Sequence, residues 1–208
     1  MRRTTLGTRP RLQSQQTRSL FIKPVQAVEM LEKREIPVRH TESISESDTT
    51  VSLTVDRNTF SPSIIVSPTP DFDPDHTKSF PFSYNNTADF TSSENPLPKS
   101  VASYLQLPER AVPDFAALSQ ALWHIFQEKE AFLLQVRAHV SADGSLEVHD
   151  ARFGFDDAAL RGAAREGTVH ELRNPADEVP EELEAEKNGI VYVKCVPLYS
   201  IFSHVSEY

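Results

Sequence analysis

The chain has 208 residues, 15 prolines against 6 glycines, a hydrophobic share of 38% and a formal net charge of −9. That suits a small core with tails rather than several domains, and no run approaches the roughly 20 apolar residues of a membrane-spanning helix. The charge is uneven: residues 1–28 hold Arg2, Arg3, Arg9, Arg11, Arg18 and Lys23 and no acid, which leaves 15 basic residues against 30 acidic ones in the remainder. A body that acidic repels phosphate backbones, which excludes nucleic acid as a partner. The single cysteine, Cys195, excludes an internal disulfide and a Cys-rich zinc site, and reads as a small buried hydrophobe.

Residues 1–21, MRRTTLGTRPRLQSQQTRSLF, are rich in Arg, Ser, Thr and Gln. They lack the apolar stretch of about 7 to 15 residues that a secretory signal needs. They read as a mitochondrial presequence, cleaved near Arg18 to Phe21, with the matrix as destination; the plainer alternative is a disordered basic tail. The sequon Asn85-Asn86-Thr87 is then idle, because glycosylation requires the secretory route. Residues 22–38 follow as an N-terminal helix, with Pro24 at its first position and Val25, Val28 and Leu31 on one face. Residues 39–50 are polar and read as a linker. Residues 51–67 hold two strands, VSLTVDR and SIIVS, expected to pair as a hairpin around a turn containing Asn58 and Pro62. Residues 68–100 contain six prolines and no helical period, which predicts a long irregular or disordered loop.

The second half has stronger periodicity. In PDFAALSQALWHIFQEKEAF, Phe115, Leu118, Leu122, Ile125 and Phe126 form one apolar stripe, and Asp114 can cap the start. FLLQVRAHV then alternates, with Phe132, Leu134, Val136, Ala138 and Val140 on one face. Asp143-Gly144 supplies a turn, and LEVHDARF returns as the partner strand. DDAALRGAAR reads as a short helix, PEELEAEKNG as another between Pro180 and Gly189, and IVYVK as a final strand.

Asp150 is expected at a strand end, where a carboxylate can serve a hard cation such as Mg²⁺, held by one or two carboxylates plus substrate phosphates. Spacing alone leaves it either a ligand or a structural strand end; Asp156 and Asp157 read as helix caps. His124, His139 and His149 form a weak candidate zinc set if the hairpin brings the last two together. A Ser–His–Asp triad has no supporting nucleophile motif.

LEVHDARFGFDDAALR followed by HELRNPADEVPEELEAEKNGIVYVK resembles the β subunit of succinate–CoA ligase. That family writes Asp-Ala-Lys, Asp-Asp-Asn-Ala, Arg-Asp, an acidic helix and Leu-Asn-Tyr-Val in the same order. LTVDRNTFSPSIIVS and FIKPVQAVEMLEKREIPV are similar to earlier segments of the same family, and ATP-citrate lyase shares its architecture. The resemblance implies an ATP-grasp fold, in which Mg²⁺ and a nucleotide are held by an Asp and an Asn on adjacent strands. The Asp maps to Asp150. The Asn has no counterpart: Arg137-Ala138-His139-Val140 replaces the family's Glu-x-Asn-Pro, or the register puts Val136 there. Imidazole and alkyl groups are poor Mg²⁺ ligands, and Arg137 repels the cation. The glycine-rich nucleotide half is replaced by about 12 polar residues, and phosphate cradles need glycine for close backbone approach.

The expected fold class is therefore α+β: a partial ATP-grasp-like domain over residues 101–194, with a central antiparallel hairpin, flanking helices, and disordered N-terminal and internal segments. Residues 195–208 match nothing in the family. The expected function is that of a mitochondrial relative of the succinate–CoA ligase β subunit, catalytically degraded, with no catalytic or nucleotide-binding residue and no cofactor. Its partner would be the ligase α subunit. The alternatives are an active ADP- or GDP-forming succinate–CoA ligase or citrate-lyase-like subunit using Mg²⁺ with ATP or GTP, and an incomplete gene product of one.

Overall fold

The computed structural model describes residues 19–40, 44–57, 59–73, 75–84 and 89–156, together with 169, 172, 176 and 178–190. The chain divides into a unit spanning 19–178 and a second unit of which 179–190 are described. The expected helix at 156–165, the strand at 190–194 and the 195–208 tail lie outside the described residues but for Asp156 and Ile190, as do most of the presequence, the sequon and Cys195.

The first unit is α+β. Its strands are β1 (Ser19–Phe21), β2 (Thr49–Asp56), β3 (Ser61–Ser67), β4 (Lys78–Pro81), β5 (Ala131–Val140) and β6 (Leu146–Asp156). They form one sheet in the order β1-β6-β5-β2-β3-β4, every neighbouring pair antiparallel. Helices α1 (Pro24–Glu32), α2 (Leu97–Tyr104) and α3 (Ala111–Glu128) complete it. The register puts Val51, Leu53, Ile64, Val66, Leu134, Val136, Ala151 and Phe153 on one face. These residues join Ala27, Val28 and Leu31 of α1 and Phe115, Leu118, Leu122 and Ile125 of α3 in a single core. Each such Leu, Ile or Phe contributes about 1.5–3 kcal/mol when fully buried.

The α3 stripe is buried as its period predicts. Asp114, however, caps no helix: its Oδ2 accepts from the Leu146 amide at 3.0 Å, tying the first turn of α3 to the start of β6. In α1 the buried residues are Ala27, Val28, Met30 and Leu31, while Val25 is 61% exposed, one step off the expected face. The helix ends at Glu32. Glu35 adopts φ 62°, and residues 37–39 run extended beside β6, with the Val148 amide donating to Pro37 O at 2.9 Å. Together with β1, which pairs with Gly154–Asp156, this segment covers the outer edge of β6.

Two further expectations are revised. The polar stretch 39–50 ends inside the fold: Thr49 and Thr50 open β2, and Asp48 is buried. The proline-rich tract 68–100 contains the edge strand β4 and the start of α2. Its aromatic residues are the cause. Phe82 packs edge-on against Trp123 at 5.1 Å and against Phe90 at 5.3 Å, and Phe90 is 1% exposed, so the tract is anchored on α3 in spite of its prolines.

In the second unit, helix α4 (Pro180–Lys187) has Glu181 and Glu182 in its first turn, where the helix dipole favours acids. Gly189 follows it at φ 70°, as a helix terminator does.

Candidate functional site

Asp150 is not at a strand end. It lies inside the eleven-residue β6, directly opposite Arg137 of β5. On the same face the register places Thr50 beside Arg137 and Ser67 beside Thr50, so this corner of the sheet is polar. Arg137 Nη1 donates to Asp150 Oδ2 at 3.1 Å, Nε donates to Pro70 O at 3.0 Å, and Nη2 reaches Asp71 Oδ1 at 3.4 Å. The loop that brings Pro70 and Asp71 there is folded by its own hydroxyls. Ser67 Oγ and Thr69 Oγ1 both donate to Asp71 O, at 2.9 and 2.7 Å, and Thr50 Oγ1 donates to Pro70 O at 2.7 Å.

The register slips immediately beyond this pair: Arg137 faces Asp150 and Ala138 faces Val148, which leaves His149 unmatched as a bulge in β6. The bulge draws the imidazole inward, and its side chain is 3% exposed. Beside it lies Asp48, whose carboxylate is 2% exposed. Asp48 Oδ1 is 3.1 Å from His139 Nδ1, and Oδ2 accepts from the Ser45 amide at 2.6 Å. His149 Nε2 is 3.0 Å from Asp48 Oδ2 but off hydrogen-bonding alignment. Burying a carboxylate is costly unless it is paired and hydrogen-bonded, and here an amide and an imidazole satisfy it.

The candidate zinc set does not assemble as expected. His139 and His149 share Asp48, but His124 is on α3, bonded to Gln120. Asp48 was missed because it lies in a stretch that reads as linker, more than 90 residues from His139; its only local signal is the Ser-rich turn before it. Among the described residues no group of three or more His, Cys, Asp or Glu side chains could hold a metal ion.

A groove of ≈ 450 Å³ runs between α1 and β6 on the other side of Asp150, with Val25 and Val28 on its apolar side and Glu29, Glu32 and Asp150 among its polar groups. Glu32 is paired with His40 at 2.9 Å. Acids beside apolar side chains repel a triphosphate, and no glycine lies along this groove to admit a phosphate to the backbone. The Mg²⁺ implied by the family resemblance does not fit either. It needs oxygen donors in near-octahedral geometry, and the group facing Asp150 is a guanidinium, which is always cationic.

No family model matches the chain. In comparison with known proteins, 96 residues are 32% identical to the succinate–CoA ligase [ADP-forming] subunit β of Nitratiruptor sp.. The same length is 34% identical to the subunit of that name from Staphylococcus aureus. Over about half its length this chain is similar to the succinate–CoA ligase β subunit. The match takes in 46% of this chain but 24% of those relatives, so it spans about a quarter of their length. Among solved structures, ATP citrate lyase from Methanothrix soehngenii, in complex with citrate and coenzyme A, is 14% identical over 82% of this chain and 47% of that one. Its TM-score of 0.47 is too low to carry an argument. The similarity to succinate–CoA ligase β therefore rests on sequence. Among the described residues no helix is long and apolar enough to cross a membrane.

Proposed function

We propose that this chain is a mitochondrial matrix protein of the succinate–CoA ligase β type, built on a partial ATP-grasp-like domain, that no longer catalyses and acts by binding the ligase α subunit. The observation that carries the reading is the Arg137–Asp150 pair. The family resemblance makes Asp150 the metal-holding aspartate, and its carboxylate here is engaged by a fixed positive charge. The acidic groove beside it is equally unsuited to a nucleotide. The basic, acid-free stretch at residues 1–21 supports the matrix destination, and sequence similarity to a subunit of a two-subunit ligase supports the choice of partner.

Two experiments test this. Tagged full-length chain expressed in mitochondria should co-purify the ligase α subunit; recovery from the matrix without that subunit overturns the docking role. Calorimetric titration of the purified chain with MgATP and MgGTP should give no heat and no thermal shift. Saturable binding of either nucleotide instead favours a working acid–CoA ligase subunit.

A further inference from the structure

We infer that the groove between α1 and β6 is a docking site for an extended segment of another protein that carries an arginine or lysine two positions from an aliphatic side chain. The inference stands on the lining of the groove and does not depend on kinship with a ligase.

Helix α1 turns Ala27, Val28, Met30 and Leu31 to the core. Val25, Glu29 and Glu32 follow at i, i+4 and i+7, so they share the flank that borders the groove, with Asp150 of β6 also lining it. Val25 is 61% exposed. A lone exposed valine is ordinary; this one lies with Pro24 at one end of a groove whose remaining lining is largely acidic. Glu29, Glu32 and Asp150 supply three carboxylates, and among the described residues no lysine or arginine lines the groove. Glu29 is exposed. Glu32 is paired with His40 across an exposed contact of little strength, and Arg137 engages one of the two Asp150 oxygens. Glu29 and Glu32 also fall in the C-terminal half of α1, where the helix carbonyls add negative partial charge. His149 contributes a buried polar group: it lines the groove, and its Nε2 has no aligned hydrogen-bond partner.

An occupant must therefore bring a cation and an apolar group together. Val25 and Glu29 are one turn apart, about 6 Å along the axis, and side chains two positions apart on an extended chain are separated by about 6.5–7 Å on one face. At ≈ 450 Å³ and open along one side, the groove suits a chain laid along it rather than an enclosed small molecule.

The probe is the acetylated, amidated peptide Gly-Leu-Ser-Arg-Gly, titrated into the full chain and followed by amide chemical shifts. Saturable shifts confined to residues 24–32, 40 and 149–150 are expected, and they should weaken as salt is raised. Glu29→Gln should loosen binding about two- to fivefold and Val25→Ser about threefold or more; both positions are exposed, so neither change disturbs the core. The same peptide with glutamate in place of arginine should not bind. Absence of shifts, shifts spread over the whole acidic surface, or binding unchanged in either variant overturns the proposal. Equal binding of agmatine, a small guanidinium without the peptide, overturns it as well and makes the groove a small-cation site. The ligase reading is scored by co-purification of the α subunit and this one by peptide shifts on the purified chain, so the two fail separately.

Discussion

The two sides of the sheet are held by different physics. One is a continuous apolar surface, from Ile64 and Val66 of β3 to Ala151 and Phe153 of β6, merged with the buried stripes of α1 and α3. The other carries Thr50, Arg137 and Asp150 in one row and Ser52, Gln135 and Arg152 in the next. The apolar side gains stability in proportion to area and tolerates variation as long as volume is conserved. The polar side depends on individual partners: Asp71, Asp150 and Pro70 for Arg137, and Ser45 and His139 for Asp48. The chemistry that distinguishes this chain sits on the second side, while the first keeps the frame.

The comparison can be broken most forcefully from the apolar side. Phe153 is fully buried opposite Leu134, and Phe153→Ala should cost about 3–5 kcal/mol, read as the midpoint shift in urea unfolding. A loss under about 1 kcal/mol would mean that the core is not held by area. Next in size is Asp48→Ala, which strips the Ser45 amide and His139 of their buried acceptor. It should cost about 1–3 kcal/mol and speed hydrogen exchange at residues 44–50 while leaving α3 protected. Uniform acceleration would instead show that the Asp48 clamp and the apolar core melt together. The smallest effect belongs to the β5–β6 turn. There the Ser141 hydroxyl, then the Ser145 hydroxyl and amide, hold the exposed Asp143 carboxyl well below its ordinary range. A depressed carboxyl adds stability above its unfolded pKa of 3.8 and loses it as pH falls through the folded value. Asp143→Asn should therefore lower the melting temperature slightly at pH 7, and the gap from wild type should narrow below about pH 4.

What could be read in advance follows from range. Helix α3 and the β5–β6 hairpin were legible because the 3.6-residue stripe from Phe115 to Phe126, the alternation from Leu134 to Ala138 and the Asp143-Gly144 turn are local signals. The β2–β3 hairpin was legible for the same reason, although Pro62 pairs with Val55 inside β3 rather than turning the chain. Strand β4 was not, because KSFP is four residues long, ends in proline, and is recruited by Phe80 and Phe82 packing against the distant core. The site was half legible. Arg137 and Asp150 were singled out as a mismatch between a cation and a metal ligand, but nothing local said that the mismatch becomes a bond. Asp71 and the long-range half of the Asp48 clamp had no local signal, since Arg137 lies 66 positions from Asp71 and His139 lies 91 from Asp48.

Strand β1 bears on how the N-terminus can be trimmed. Leu20 is 2% exposed, and Ser19–Phe21 occupies the free flank of β6 at Gly154–Asp156. A protease that stops at Arg18 leaves this flank covered. One that removes Leu20 and Phe21 strips the core side chain of Leu20 and bares a row of unpaired amides and carbonyls, the kind of edge on which other chains assemble. Whether a cut near the N-terminus spares the sheet edge thus depends on where it falls within three residues.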